Sequence, residues 1–274
     1  MFKFRIIGFI LLMGILGGIF FWDAGGIWIF LAVAPALVGA AIGECCSMME
    51  RSGKGALSVP CGVASWLITL GWMLVNVNEK IAAFVLLFTA LLIIAGCAGL
   101  LSLKPDFMQK IFNSAGVMIL FLPSLILFLA SYFAGSSFGY WLLFLALVTK
   151  ATDTGGYIVG TLTAKLPSGN HKIAPRVSPK KSWEGLFGGV ILSLAAAWAF
   201  YHFNAHASLV WYLIAGVVLS LGSFFGDLTE SAVKRLCEIK DSGSFVPGMG
   251  GAFDVLDSFI YNGILFWILF AFKF

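Results

Sequence analysis

Long apolar runs recur along the whole chain, each closed by a short polar stretch. Nine of them have the length of a membrane-crossing helix, which needs about 17–25 predominantly apolar residues. They fall at about 5–22, 27–43, 59–77, 81–103, 115–134, 138–158, 185–203, 208–226 and 255–272. The pattern predicts an all-α, polytopic integral membrane protein. The run at 5–22 follows basic residues, as a signal peptide would, but no small-residue cleavage site follows it, so it reads as a retained span. Most connecting stretches are short. The exceptions are 159–184 and 227–254, which are long and charged. No internal repeat breaks the chain, so it reads as a single membrane domain, 1–274. Within it, 1–135 form a helical scaffold and 136–274 carry the helices and loops rich in polar groups.

Composition supports this reading. Of the 274 residues, 60% are hydrophobic and only 11% charged, against about 25% charged in an average soluble domain. A soluble enzyme and a nucleic-acid-binding module are both excluded as expectations. Charge then orients the spans, because Lys and Arg gather in cytoplasmic loops. With nine spans, 15 of the 17 Lys and Arg residues fall on the side of the N-terminus, leaving Lys80 and Lys273 on the other. The N-terminus and both long loops are therefore expected in the cytoplasm. The five Cys, at 45, 46, 61, 97 and 237, form no CxxC pair. They read as small apolar fillers.

Three polar constellations depart from the apolar background. The first is KATDTGGYIVG, 150–160. Lys150 and Asp153 are three apart and share a helix face. They form either a neutralising ion pair at a span end or the polar wall of a cavity. The second is HKIAPRVSPKKSWEGLFGG, 171–189. Lys172, Arg176, Lys180 and Lys181 lie close together, and Pro175 and Pro179 stiffen the loop. Ser182 can cap a helix starting at Trp183, and a helix N-terminus beside lysines can bind phosphate. A positive-inside loop touching anionic headgroups is the plainer alternative. The third is GDLTESAVKRLCEIKDSGSFVPGMGGAFDVLDS, 226–258. Asp227, Glu230, Ser231 and Lys234 fall on one helix face, with Arg235 adjacent. Asp254 and Asp257, three apart, open the last span, where the helix dipole favours acids. Carboxylates so close suit a hard cation such as Mg²⁺.

In this order and spacing, 150–160, 178–189 and 226–258 resemble the phosphatidate cytidylyltransferase, or CDP-diacylglycerol synthase, family. The residues that carry the resemblance are Ser223 or Ser231 near Lys234-Arg235, Lys240-Asp241, the turn 247–251, the pair Asp254 and Asp257, and the stretch SPKKSWEG at 178–185. Met249 stands where the family usually has His, and Val255 where it usually has Arg. The first half of the chain agrees only in hydrophobic pattern.

The resemblance implies transfer of CMP from CTP to phosphatidate, giving CDP-diacylglycerol and pyrophosphate in phospholipid biosynthesis. It implies a polar cavity open to the cytoplasm and the membrane. Asp227, Lys234, Asp241, Asp254 and Asp257 are the expected catalytic residues. Of these, Asp227, Asp254 and Asp257 would ligate Mg²⁺, with room for a second cation. Lys180, Lys181, Ser182, Ser223, Arg235, Lys150 and Asp153 would bind substrate. The partners implied are CTP, phosphatidate and membrane lipid, with no nucleic acid. A homodimer is left open, and the compactness of the chain suggests a bacterial inner membrane. A CTP-dependent polyisoprenol or lipid kinase and a transporter are the rival readings. The transporter fits less well, because the charges gather at one face instead of the midplane.

Overall fold

The structure is a computed structural model that describes residues 19, 25–77, 105–134, 139–167, 169–203, 206–239, 242–243 and 250–273. Seven helical segments among them are long and apolar enough to cross a membrane: Gly26–Arg51, Ser58–Val75, Asp106–Phe133, Tyr140–Thr163, Trp183–Phe203, Leu209–Leu236 and Ala252–Ala271. Each coincides with one of the expected spans. The other two, 5–22 apart from residue 19 and 81–103, lie outside the described residues, as does the turn 247–249.

In chain order the elements are α1 (Gly26–Arg51), α2 (Ser58–Val75), α3 (Pro105–Ala130) with a 3₁₀ turn at Ser131–Phe133, and α4 (Tyr140–Thr163). Then come β1 (Lys172–Ala174), β2 (Ser178–Ser182), α5 (Trp183–Phe203), α6 (Leu209–Leu236), α7 (Ala252–Leu256), a 3₁₀ turn at Asp257–Phe259 and α8 (Asn262–Ala271). They form two compact units. One comprises Met1–Ile126 with Leu236–Leu256, and the other Leu127–Arg235 with Asp257–Phe274.

In the first unit, α1 packs on α2, and α3 is tied to the loop between them. Asn113 Nδ2 donates to the carbonyls of Lys54 (2.6 Å) and Gly55 (2.9 Å), and Leu57 N donates to Ser114 Oγ (2.8 Å). The same unit holds α7 by its N-terminus. Asp254 Oδ2 accepts from Gly251 N (3.0 Å), and Glu44 Oε2 accepts from Phe253 N (3.0 Å). These are two of the backbone donors that a helix start leaves unpaired. Glu44 thus sits on α1 as a long-range helix cap.

In the second unit, α5 shows what a membrane does to helix packing. Its buried residues are Gly185, Gly188, Gly189, Ser193 and Ala197, while Trp183, Phe187, Ile191 and Trp198 are exposed. Lipid is as apolar as a leucine side chain, so large residues gain little by turning inward, and small ones let backbones approach. The glycine face of α5 meets Gly155, Gly156 and Gly160 on α4. A Cβ on Gly155 would strike the Gly188 carbonyl, and one on Gly188 would strike the Val159 side chain.

Three features depart from the sequence expectation. The stretch 171–182 is not an irregular loop but a two-stranded antiparallel hairpin, with Lys172 opposite Ser182 and Ala174 opposite Ser178. Pro175 takes the second place of its turn, closed by Val177 N donating to Ala174 O (3.1 Å), where a ring-fixed φ is favourable. Helix α6 does not stop at 226 with the apolar run but continues to Leu236. The last span is broken: Asp254 lies on α7 and Asp257 opens the 3₁₀ turn, so they do not share one helical turn. Asp257 Oδ1 accepts from Ser258 N at 2.5 Å, and such a local side-chain bond competes with the helical one.

Candidate active site

The hairpin, α4 and α6 surround a cavity of about 400 Å³ in the second unit. Lys172, Lys180 and Lys181 line it from the hairpin, Asp153 from α4 and Asp227 from α6, with Ser182 at the start of α5. The hairpin's position has local causes. Ser182 Oγ accepts from Gly185 N (3.2 Å), which is the N-cap bond expected from the sequence. Glu184 Oε1 meets His171 Nδ1 at 2.6 Å, and both Glu184 oxygens accept from His171 N at 3.1 Å. Trp183 N donates to His171 O at 3.0 Å. The strand pair is thus hooked to the first turn of α5. At its tip, Arg235 Nε donates to Val177 O (3.3 Å), which ties the turn to the end of α6.

Lys181 reaches across to α6. Its Nζ donates to Phe224 O at 3.0 Å, lies 3.1 Å from Asp227 Oδ2, and stands 4.6 Å from the centroid of the Phe224 ring. On α4, Lys150 Nζ pairs with Asp153 Oδ2 at 3.0 Å. Asp153 is thus an ion-pair partner that also lines this cavity. Ser223 Oγ donates to Asp153 Oδ1 (2.8 Å).

These groups converge on a residue that the sequence reading did not single out. Ser258 Oγ lies 3.1 Å from Asp153 Oδ2, 2.8 Å from Asp227 Oδ1 and 2.9 Å from Asp257 Oδ1. One hydroxyl carries one proton, and an ionised carboxylate can only accept. At most one of the three contacts is a hydrogen bond at any moment. The cluster is therefore short of positive charge or protons, even with Lys150 and Lys181 beside it. Among the described residues, no group of three or more His, Cys, Asp or Glu side chains is already arranged to hold a metal ion. In donor chemistry the cluster nevertheless suits a hard divalent cation, with carboxylate and hydroxyl oxygens and no nitrogen or sulfur. The signal for Ser258 was present: a hydroxyl directly after Asp257 in an otherwise apolar span.

Of the predicted residues, Lys150, Asp153, Lys180, Lys181, Ser182, Ser223, Asp227, Lys234, Arg235 and Asp257 all lie in the second unit. Lys234 pairs with Glu230 one turn away on α6. Asp254 lies in the first unit, where its Oδ1 accepts from Ser242 Oγ (2.5 Å) in addition to its capping bond. Asp241 lies outside the described residues.

Comparison with known proteins adds a family. Residues 3–273 match the model of the Cytidylyltransferase family. A phosphatidate cytidylyltransferase of Staphylococcus epidermidis is 40% identical over 122 residues, 44% of this chain and 45% of that protein. One of Haemophilus influenzae is 39% identical over 122 residues, covering 43% of this chain and 41% of the relative. One of Staphylococcus aureus is 39% identical over 123 residues, covering 44% and 45%. The chain thus spans somewhat less than half the length of these curated relatives.

Proposed function

This chain belongs to the cytidylyltransferase family, and on that premise we propose that it transfers CMP from CTP to phosphatidate, giving CDP-diacylglycerol and pyrophosphate. The observation that carries the reading is the cavity in which three hairpin lysines face two carboxylates beside a capped helix N-terminus. Lysines suit a triphosphate, and the carboxylates suit the cation that accompanies it.

A phosphatidate oxygen attacks the α-phosphorus of CTP. The new P–O bond forms as the bond to the β-phosphate bridging oxygen breaks, and pyrophosphate leaves with that electron pair. The attacking phosphate is already anionic, so no strong general base is needed. Positioning and charge neutralisation do the work. Lys172, Lys180 and Lys181 hold the phosphates, and the Phe224 carbonyl and Asp227 keep Lys181 aimed across the cavity. Lys150 and Ser223 orient Asp153. Arg235, on the last turn of α6 and tied to the hairpin turn, supplies further positive charge there, while Lys234 is paired with Glu230.

Asp227 and Asp257 are the proposed Mg²⁺ ligands, with Asp153 and Ser258 beside them. Asp254, in the first unit, caps α7 and accepts from Ser242 Oγ, and it is not counted among these ligands. When bound, Mg²⁺ would neutralise charge on the triphosphate and activate the α-phosphorus. The membrane location fits this chemistry, since the lipid never has to leave the bilayer. We place the chain in a bacterial inner membrane with the hairpin facing the cytoplasm, on the positive-inside bias of its loops.

The test follows the fate of γ-labelled CTP given with phosphatidate. Label released as pyrophosphate supports cytidylyl transfer. Label incorporated into lipid would mean phosphoryl transfer and would overturn the proposal.

A further inference from the structure

Resting on the cytidylyl-transfer reading above, we propose that Asn262 is a positioning residue. Its buried amide locks α8 to α4 and sets the spacing of the acids gathered on Ser258.

Asn262 is fully buried in an apolar span. Its Nδ2 donates to Thr149 Oγ1 at 2.8 Å, and that hydroxyl in turn donates to Leu145 O at 2.7 Å. Thr149 lies four residues before Asp153 on α4, and Asn262 four residues after Ser258. The two elements therefore meet twice, once at Asn262–Thr149 and once at Ser258–Asp153. Helix α6 closes on both levels. A Cβ on Gly222 would collide with Asn262 Oδ1, and one on Gly226 with the Asp257 carbonyl.

The 3₁₀ turn at Asp257–Phe259 explains why a second fastening is needed. Helical continuity does not fix the direction of Ser258 there, so the next constraint along the chain must. Stability does not account for an amide at this place. Among the described residues Asn262 Oδ1 is buried with no hydrogen-bond partner, and burying an unsatisfied polar group is costly. A leucine, of the same branching, carries no polar group to leave unsatisfied. What the amide adds is direction, a use attested for single buried polar residues.

The test compares Asn262→Leu, Thr149→Val and the double variant in purified protein, with Thr149→Ser as the conservative control. Each single change is expected to lower kcat by about 10- to 100-fold, the scale of a displacement near 1 Å. KM for CTP should stay within about twofold, because the nucleotide is held by the hairpin lysines. The double variant should be no worse than either single one, since both break the same bond, and Thr149→Ser should keep wild-type kcat. Unchanged kcat, additive losses, or an effect on KM alone would overturn the proposal. A second readout does not depend on activity. In a background lacking the natural cysteines, the pair Asp153→Cys and Ser258→Cys is bridged by mild oxidation. Asn262→Leu should reduce the yield of that bridge, and an unchanged yield would also overturn the proposal. If wild-type protein transfers no CMP yet bridging depends on Asn262, the positioning role stands and the reaction assignment falls.

Discussion

Lys181 is held from two sides, by the Phe224 carbonyl and the Asp227 carboxylate. That makes it the cation whose position is best defined in the cavity, whereas Lys180 beside it is exposed. Lys181→Met is therefore expected to lower kcat/KM by about 100-fold or more, the usual scale for losing a preorganised charge in an active site. Lys180→Met should mainly raise KM for CTP, and steady-state kinetics with varied CTP separates the two. Ser182 acts differently, through the helix it caps. Ser182→Ala should cost about 1 kcal/mol and Ser182→Gly only a few tenths, which thermal unfolding in detergent can resolve. The cap was legible in the sequence, because a serine preceded a helical apolar run at the end of a basic stretch. Ser258 was less visible. Its role depends on three carboxylates brought together from α4, α6 and the last span, and linear spacing does not show which distant acids meet.

At the scale of elements, the glycine faces of α4 and α5 decide whether the cavity wall exists at all. Gly155→Ala would drive a Cβ into the Gly188 carbonyl and should destabilise by about 1–3 kcal/mol, as overpacking does. Gly116→Ala, on α3, meets nothing within 4 Å among the described residues and should be neutral or slightly stabilising through helix propensity. Comparing their melting temperatures checks that packing, and not glycine loss as such, sets the cost. The apolar runs made the membrane helices legible, but three boundaries were not. Pro175 and Pro179 read as stiffening a loop, yet a two-stranded hairpin is all edge and tolerates them. Charge after Phe225 suggested a span end, although the i, i+3, i+4, i+7 spacing of Asp227, Glu230, Ser231 and Lys234 already carried the continuing helix. The break at Asp257 came from a side-chain bond to its neighbour's backbone, which hydropathy does not register.

For the whole molecule, the proposed reaction has the basic hairpin facing CTP and the lipid arriving from the bilayer. Lys180 and Lys273 fall on opposite sides in the expected topology. In a background without natural cysteines, Lys180→Cys should react with an impermeant maleimide only from the cytoplasmic side, and Lys273→Cys only from the other. Both reacting from one side would contradict the orientation. The reaction itself has a more direct test. Purified protein in phosphatidate-containing micelles with Mg²⁺ is given CTP labelled at the α-phosphate, and the lipid fraction is extracted and counted. Label is expected in the lipid, dependent on added phosphatidate and lost in Asp227→Asn. Label that never enters the lipid from folded wild-type protein, or that enters equally in Asp227→Asn, would contradict the proposed reaction.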